Sequence, residues 1–220
     1  MQYLGLALYA EGPTDYYFLR PLLQRLCEDL CAREAVGPVE VSEVLGLDHS
    51  ADTAAAPREE RILSAAKLAH GAWRVLFVHA DGANDSLRAH REQVAPGLAL
   101  LRDQLGQDGI GVAVVPIRET EAWAMVDGDA LRTAFGSSLS DGDLGILTAR
   151  AAEAATDPKA VLQKAFLATQ PTGRRRKQGH VPYLQTLGEE VSLARLRQLS
   201  AFAELERAAQ AALRQLQILR

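Results

Sequence analysis

Four short apolar runs, YLGLALYA, VEVSEVL, WRVLFVHA and GVAVVPI, are spaced through the first half of the chain. Between them lie TDYYFLRPLLQRLCEDLCA, REERILSAAKLAH and SLRAHREQVAPGLALLRDQL, whose apolar residues recur at helical spacing. Parallel strands need crossovers of a dozen or more residues, and strands buried on both faces read as nearly continuous apolar runs. This pattern therefore predicts an α/β fold with a largely parallel sheet flanked by helices. The first helix should open at Pro13-Thr14 and bend at Pro21, and the third should be interrupted at Pro96-Gly97.

After about residue 128 the strand signals stop. DGDLGILTARAAEAA, DPKAVLQKAFLA and SLARLRQLSAFAELERAAQAALRQLQIL all read as helical. The polar, basic stretch TQPTGRRRKQGHVP separates the last two. The expected organisation is an α/β core over residues 1–130 and a helical region over 131–220 that packs on it.

A chain of 220 residues with net charge −4 supports one sizeable core and is not basic overall, so a nucleic-acid partner would need a local basic patch. The only cysteines, Cys27 and Cys31, lie on one helix face and read as core thiols. No disulfide framework, signal peptide or membrane-length apolar run is evident, so the expected compartment is the cytoplasm. No Gly-x-x-x-x-Gly-Lys-[Ser/Thr] loop occurs, so any ATP-driven step would need another polypeptide.

Open parallel sheets place functional residues at strand carboxyl ends. Three of the expected strands end in acids: Glu11 with Asp15, Asp81 with Asp85, and Glu119 with Glu121. Carboxylates crowded into one volume cannot all stay ionised without a counter-charge, and Mg²⁺ or Mn²⁺ would supply it through oxygen ligands. Each acid also has a plainer reading. Glu11 could cap the helix after it, Asp15 could answer a helix dipole, and Asp81 could form a turn. Asp85 could cap a helix beginning near Ser86, and one of Glu119 and Glu121 should face solvent. His79 leaves the strand on the same face as Asp81 and is either catalytic or a packed histidine.

The segments YAEGPTD, VHADGAND and VVPIRETEAWAMVD together resemble the three acidic motifs of Toprim domains. The likeness is to nucleases of the overcoming-lysogenization-defect type, and within them to the small stand-alone family called domain of unknown function 4276. It covers residues 1 to about 130, and VSLARLRQLSAFAELERAAQAAL also looks like that family's C-terminal end. The resemblance implies a metal-dependent endonuclease, encoded beside an ATPase in bacterial anti-phage systems. By match, Glu11 stands at the family's metal ligand or general base, with Asp15, Asp81, Glu119 and Glu121 at the other acids. The second motif is usually Asp-x-Asp, whereas this chain has Ala83 at the second acid, so two-ion occupancy would require Asp85 to substitute.

In that scheme Glu11, Asp81 and Asp85 hold one ion, and Asp15, Glu119 and Glu121 hold or orient another. Lys159, Lys164 or Lys177 would assist with charge. The run Arg174-Arg175-Arg176-Lys177 would be a mobile cationic segment that binds nucleic-acid phosphates, DNA more than RNA, or else a solvated loop. His180, beside that run, is a weaker candidate. The competing expectation is a Toprim-fold regulatory or nucleic-acid-binding subunit, which the Ala83 departure favours; primase-like chemistry ranks below both. A dimer is compatible with the sequence.

Overall fold

The computed structural model describes residues 1–106 and 109–220. Four strands form one parallel sheet: β1 (Gln2–Tyr9), β2 (Val39–Gly46), β3 (Val75–His79) and β4 (Ile110–Val114), in the order β2-β1-β3-β4. Helix α1 (Pro13–Glu34) joins β1 to β2, and α2 (Arg58–Leu68) carries the chain across to β3. The connection from β3 to β4 is α3 (Ser86–Ala89), a π-helical turn (His90–Val94) and α4 (Ala95–Leu105). The interruption falls just before Pro96, whose ring cannot supply the N–H that a continuous α-helix requires. By contrast, α1 runs unbroken through Pro21.

The strands alternate their side chains between two apolar clusters, which makes the sheet the middle layer. Leu4, Leu6 and Leu8 of β1, Phe77 of β3 and Val114 of β4 face α1 and the C-terminal helices. Ala7, Tyr9, Leu76 and Val78 face the other way, onto Ile62 and Ala65 of α2 and Leu101 of α4. The central strands β1 and β3 are buried on both sides, as their continuous apolar sequences require, whereas the edge strand β2 buries only Val44 fully.

The C-terminal part is helical, in more pieces than the sequence suggests. DGDLGILTARAAEAA divides into α7 (Asp141–Leu144) and α8 (Ala149–Ala154), because Gly145 takes a left-handed φ of 67° and ends the first. Next come α9 (Pro158–Ala168), α12 (Leu193–Leu196) and α13 (Ser200–Gln215). Helix α5 (Glu121–Ala124) falls within ETEAWAMVD, whose sequence reads as a short helix, whereas three helices have no counterpart in the sequence reading: α6 (Gly128–Phe135), α10 (Gly173–Gln178) and α11 (Leu184–Glu190). Helix α11 packs so closely on α1 that a Cβ on Gly188 would sit 2.2 Å from the Phe18 carbonyl oxygen. Arg25 of α1 donates to the carbonyls of Gly188 and Val191 across the same seam, at 2.9 and 3.0 Å. At the far end of α1, Arg197 joins Glu206 of α13 to Asp29.

Cys27 is fully buried and Cys31 partly so, and burial pushes both thiols up, away from reactive thiolate. Among the described residues no helix is long and apolar enough to cross a membrane.

Candidate functional site

The connection leaving β1 goes to one side of the sheet and the connection leaving β3 goes to the other. The crevice above their carboxyl ends is thus the point where a doubly wound sheet opens to a ligand. Two loops converge there. Gly82 donates its N–H to the Arg118 carbonyl at 2.8 Å, and a Cβ at Gly82 would lie 2.2 Å from the carbonyls of Pro116 and Ile117. Only glycine lets the loop after β3 seat against the loop after β4. The residues beyond it, Ala83 and Asn84, take φ values of 45° and 81°.

His79 is the last residue of β3 and is completely buried. Its Nδ1 lies 3.6 Å from Asp15 Oδ2 and its Nε2 lies 3.5 Å from Asp81 Oδ1. Neither separation makes a good hydrogen bond. Both ring nitrogens and Asp81 Oδ1 are sealed from solvent without a hydrogen-bond partner. Asp15, His79 and Asp81 each bring a ligand-type atom to a point where all lie within 4.8 Å of one another. Asp15 is also held by the Gly12 N–H at 2.9 Å and by the Thr120 hydroxyl at 3.4 Å. Burial pushes its carboxyl above the ordinary range, with Asp81 adding to the rise and His79 opposing it.

The other expected acids surround this core unequally. Glu11 lies two residues beyond β1, is exposed, and accepts the Asp81 N–H through Oε2 at 3.1 Å. β4 stops at Val114, so Glu119 and Glu121 belong to the following loop and to α5 rather than to a strand end. Glu121 is buried and its pKa rises to about 7, chiefly from burial, with Lys159 pulling it down and Glu119 and Asp15 pushing it up. Glu119 is the partner that turns outward, and its carboxylate receives both the Lys159 ammonium at 3.2 Å and the Lys159 N–H at 3.3 Å. Burial alone would lower Lys159, but Glu121, Glu119 and Asp81 outweigh it and hold the ammonium above the usual lysine range. Of the three candidate lysines, Lys159 reaches the acids, while Lys164 and Lys177 are exposed on α9 and α10.

The structure bears on two further expectations. Of the two readings of Asp85, helix cap and replacement ligand, the cap is seen: its Oδ1 accepts the Arg88 N–H at 2.9 Å at the start of α3. Like Glu11, Glu119 and Glu121, it is not part of the Asp15–His79–Asp81 group. The basic run is not a loop but helix α10, and its cations do not act together. Arg175 turns inward, donating from Nε to the Tyr183 hydroxyl at 2.8 Å and from a terminal nitrogen to the Phe135 carbonyl. Its guanidinium packs 5.5 Å from the Phe166 ring and 5.4 Å from the Tyr183 ring. Arg174, Arg176 and Lys177 remain exposed. His180 is buried against Gln163, its Nδ1 2.8 Å from Oε1, and its pKa is lowered first by burial and then by Lys159.

Sequence reasoning did not single out Thr120, although a hydroxyl between Glu119 and Glu121 was a visible candidate for steadying a buried acid. No family model matches the chain, and neither a curated protein nor a solved structure matches it.

Proposed function

We propose that this protein is a metal-dependent nuclease that hydrolyses nucleic-acid phosphodiester bonds, DNA in preference to RNA. The observation that carries the reading is the convergence of Asp15, His79 and Asp81 at the sheet's switch point, with three buried polar atoms left unpartnered there. Unpartnered polar atoms in a sealed site are costly, by about 1–3 kcal/mol each, and a cation is one way to satisfy them. The donor set fits a divalent ion: carboxylate oxygens of Asp15 and Asp81 and an imidazole nitrogen of His79, with Glu11 and Glu121 beside them. Imidazole suits Mn²⁺ better than Mg²⁺, whose preference is for oxygen alone. When bound, such an ion would polarise a phosphodiester and lower the pKa of a water molecule.

The chain's own residues supply the rest. Glu121, with a pKa near 7, is poised to take or return a proton at neutral pH. Lys159 carries a permanent positive charge to the rim of the acids, where it would offset charge building on a phosphate. Glu11 fixes the Asp81 backbone and so sets the start of the loop after β3. The Toprim-like motifs point to the same chemistry, and with them comes the proposal of a separate ATPase partner in a bacterial defence system.

A regulatory or nucleic-acid-binding role is the second reading. Ala83 and the capping Asp85 favour it, because they leave the ligand set one acid short of the motif it resembles. Calorimetric titration with Mn²⁺ and Mg²⁺, followed by cleavage of plasmid and single-stranded DNA, separates the two. The nuclease reading expects Mn²⁺ to bind more tightly than Mg²⁺, cleavage in Mn²⁺, and loss of both in Asp81→Asn. A protein that binds neither ion is not a metal-dependent nuclease.

A further inference from the structure

Among the described residues, the buried side-chain atoms without a partner include one outside the acidic cluster, Arg61 Nε. The arginine that carries it is one of the residues lining a cavity of about 410 Å³ that opens beside Glu11, above the carboxyl ends of β1 and β2. That volume falls within the roughly 300–1,000 Å³ of small-ligand sites. We infer that this cavity is a phosphate seat: it receives a backbone phosphate of a nucleic-acid strand, next to the phosphate presented to the acidic cluster. The inference rests on the nuclease reading for its substrate and deepens it.

Three guanidiniums line the cavity, from Arg20 on α1 and from Arg58 and Arg61 on α2. Arg58 and Arg61 are three residues apart and share a helix face. Arg58 is fixed in place: Nε donates to the Gln93 carbonyl at 3.0 Å and a terminal nitrogen donates to the His79 carbonyl at 2.6 Å. Its guanidinium lies 5.7 Å from the centre of the Tyr9 ring. The same arginine therefore touches the backbone of the buried histidine and the wall of the cavity. Arg20 is anchored similarly, through Nε to the Val44 carbonyl at 2.6 Å. Arg61 has a buried donor still to satisfy, and a guanidinium presents five N–H groups in a fork that matches phosphate oxygens.

The three arginines outnumber the two acids at the rim, Asp48 and Glu11. Asp48 is mostly in solvent and lies 3.0 Å from His49 Nδ1, and Glu11 is engaged by the Asp81 N–H. The Tyr16 hydroxyl already donates to the Leu47 carbonyl at 2.6 Å and accepts the Ala10 N–H at 3.0 Å. Tyr9 and Tyr16 are both raised, chiefly by burial, so neither adds a negative charge to repel an anion. Glu11 borders both the cavity and the acidic cluster, so one strand crossing β1 would span them.

The test is fluorescence anisotropy of the full chain with labelled single-stranded DNA in chelator, where binding is read without cleavage. Arg61→Gln should weaken binding at least tenfold and flatten the log–log salt dependence by about 0.7, the value for one lost phosphate contact on a single strand. Arg61→Lys should recover only part of the affinity, since it restores charge without the fork. If Arg61→Gln unfolds, Arg20→Gln on the other helix carries the same expectation. Parent affinity and salt slope in a folded Arg61→Gln protein would overturn the inference. So would a cavity that releases DNA unchanged while inorganic phosphate or a mononucleotide binds in an Arg61-dependent way, which would mark a free-anion site. A parent protein that binds DNA through Arg61 but binds no Mn²⁺ would leave the phosphate seat standing and remove the nuclease reading.

Discussion

At the scale of single residues, Glu121 is the group whose environment has the clearest measurable consequence. Its carboxyl titrates near 7 in the folded protein and near 4.5 in an ordinary setting. An acid whose folded pKa is raised binds its proton more tightly when folded, so the stability it contributes is full below pH 4.5 and is lost as pH rises through 7. Asp15, shifted the same way by burial, adds to the trend. In chelator, the melting temperature should therefore fall between pH 5 and pH 8, with Glu121 accounting for at most about 3 kcal/mol. Glu121→Gln should flatten that fall, and Mn²⁺ should raise stability more at pH 8 than at pH 5; calorimetric melts at both pH values check this. Ala83 offers a second residue-scale test. It occupies a left-handed conformation that Asp adopts more readily than Ala. Ala83→Asp should thus be tolerated or mildly stabilising, and should tighten Mn²⁺ binding by restoring an acid beside Asp81. Denaturant melts and titration calorimetry read the two effects separately.

At the scale of elements, Asp85 decides between a helix cap and a ligand. As the N-cap of α3 it should cost about 1 kcal/mol when changed to Ala, equally with and without Mn²⁺, and leave ion affinity unchanged. Chemical denaturation in chelator and in Mn²⁺ measures it. The elements of the first half were legible in the sequence because β1 and β3 are buried on both faces and the crossovers are long. The break before Pro96 was legible for a similar reason, since proline's missing donor is a local property. Helices α6, α10 and α11 were not. GRRRKQ looks like a solvated loop until Arg175 finds the rings of Phe166 and Tyr183, residues its own sequence neighbourhood does not announce. The acids Glu11, Asp15, Asp81, Glu119 and Glu121 could be named in advance, as could His79. Their division of labour could not, because it depends on burial: Glu121 lies inside while Glu119, two residues away, turns to Lys159.

At the scale of the whole molecule, one apolar cluster runs from β1 through α1 into α6, α9, α11 and α13. The division at residue 130 is a change in composition rather than a gap in the core. Phe18, Leu22 and Leu26 are buried in that same cluster, and Arg25 donates to carbonyls at the end of α11. A chain ending at residue 130 should therefore show no cooperative melt by circular dichroism, whereas the full chain should melt in one transition. Limited proteolysis that releases a stable N-terminal fragment would contradict this.

The ion pair between Lys159 and Glu119 carries a further consequence for inheritance. It joins a residue of the C-terminal helices to a loop of the sheet, at the rim of the acidic cluster. The helical half is then not a detachable accessory that could be exchanged by recombination for another of similar shape. A chimera built at the compositional boundary would keep every sheet acid and still lack the ammonium beside Glu119 and Glu121, so the two halves should travel together as one heritable unit.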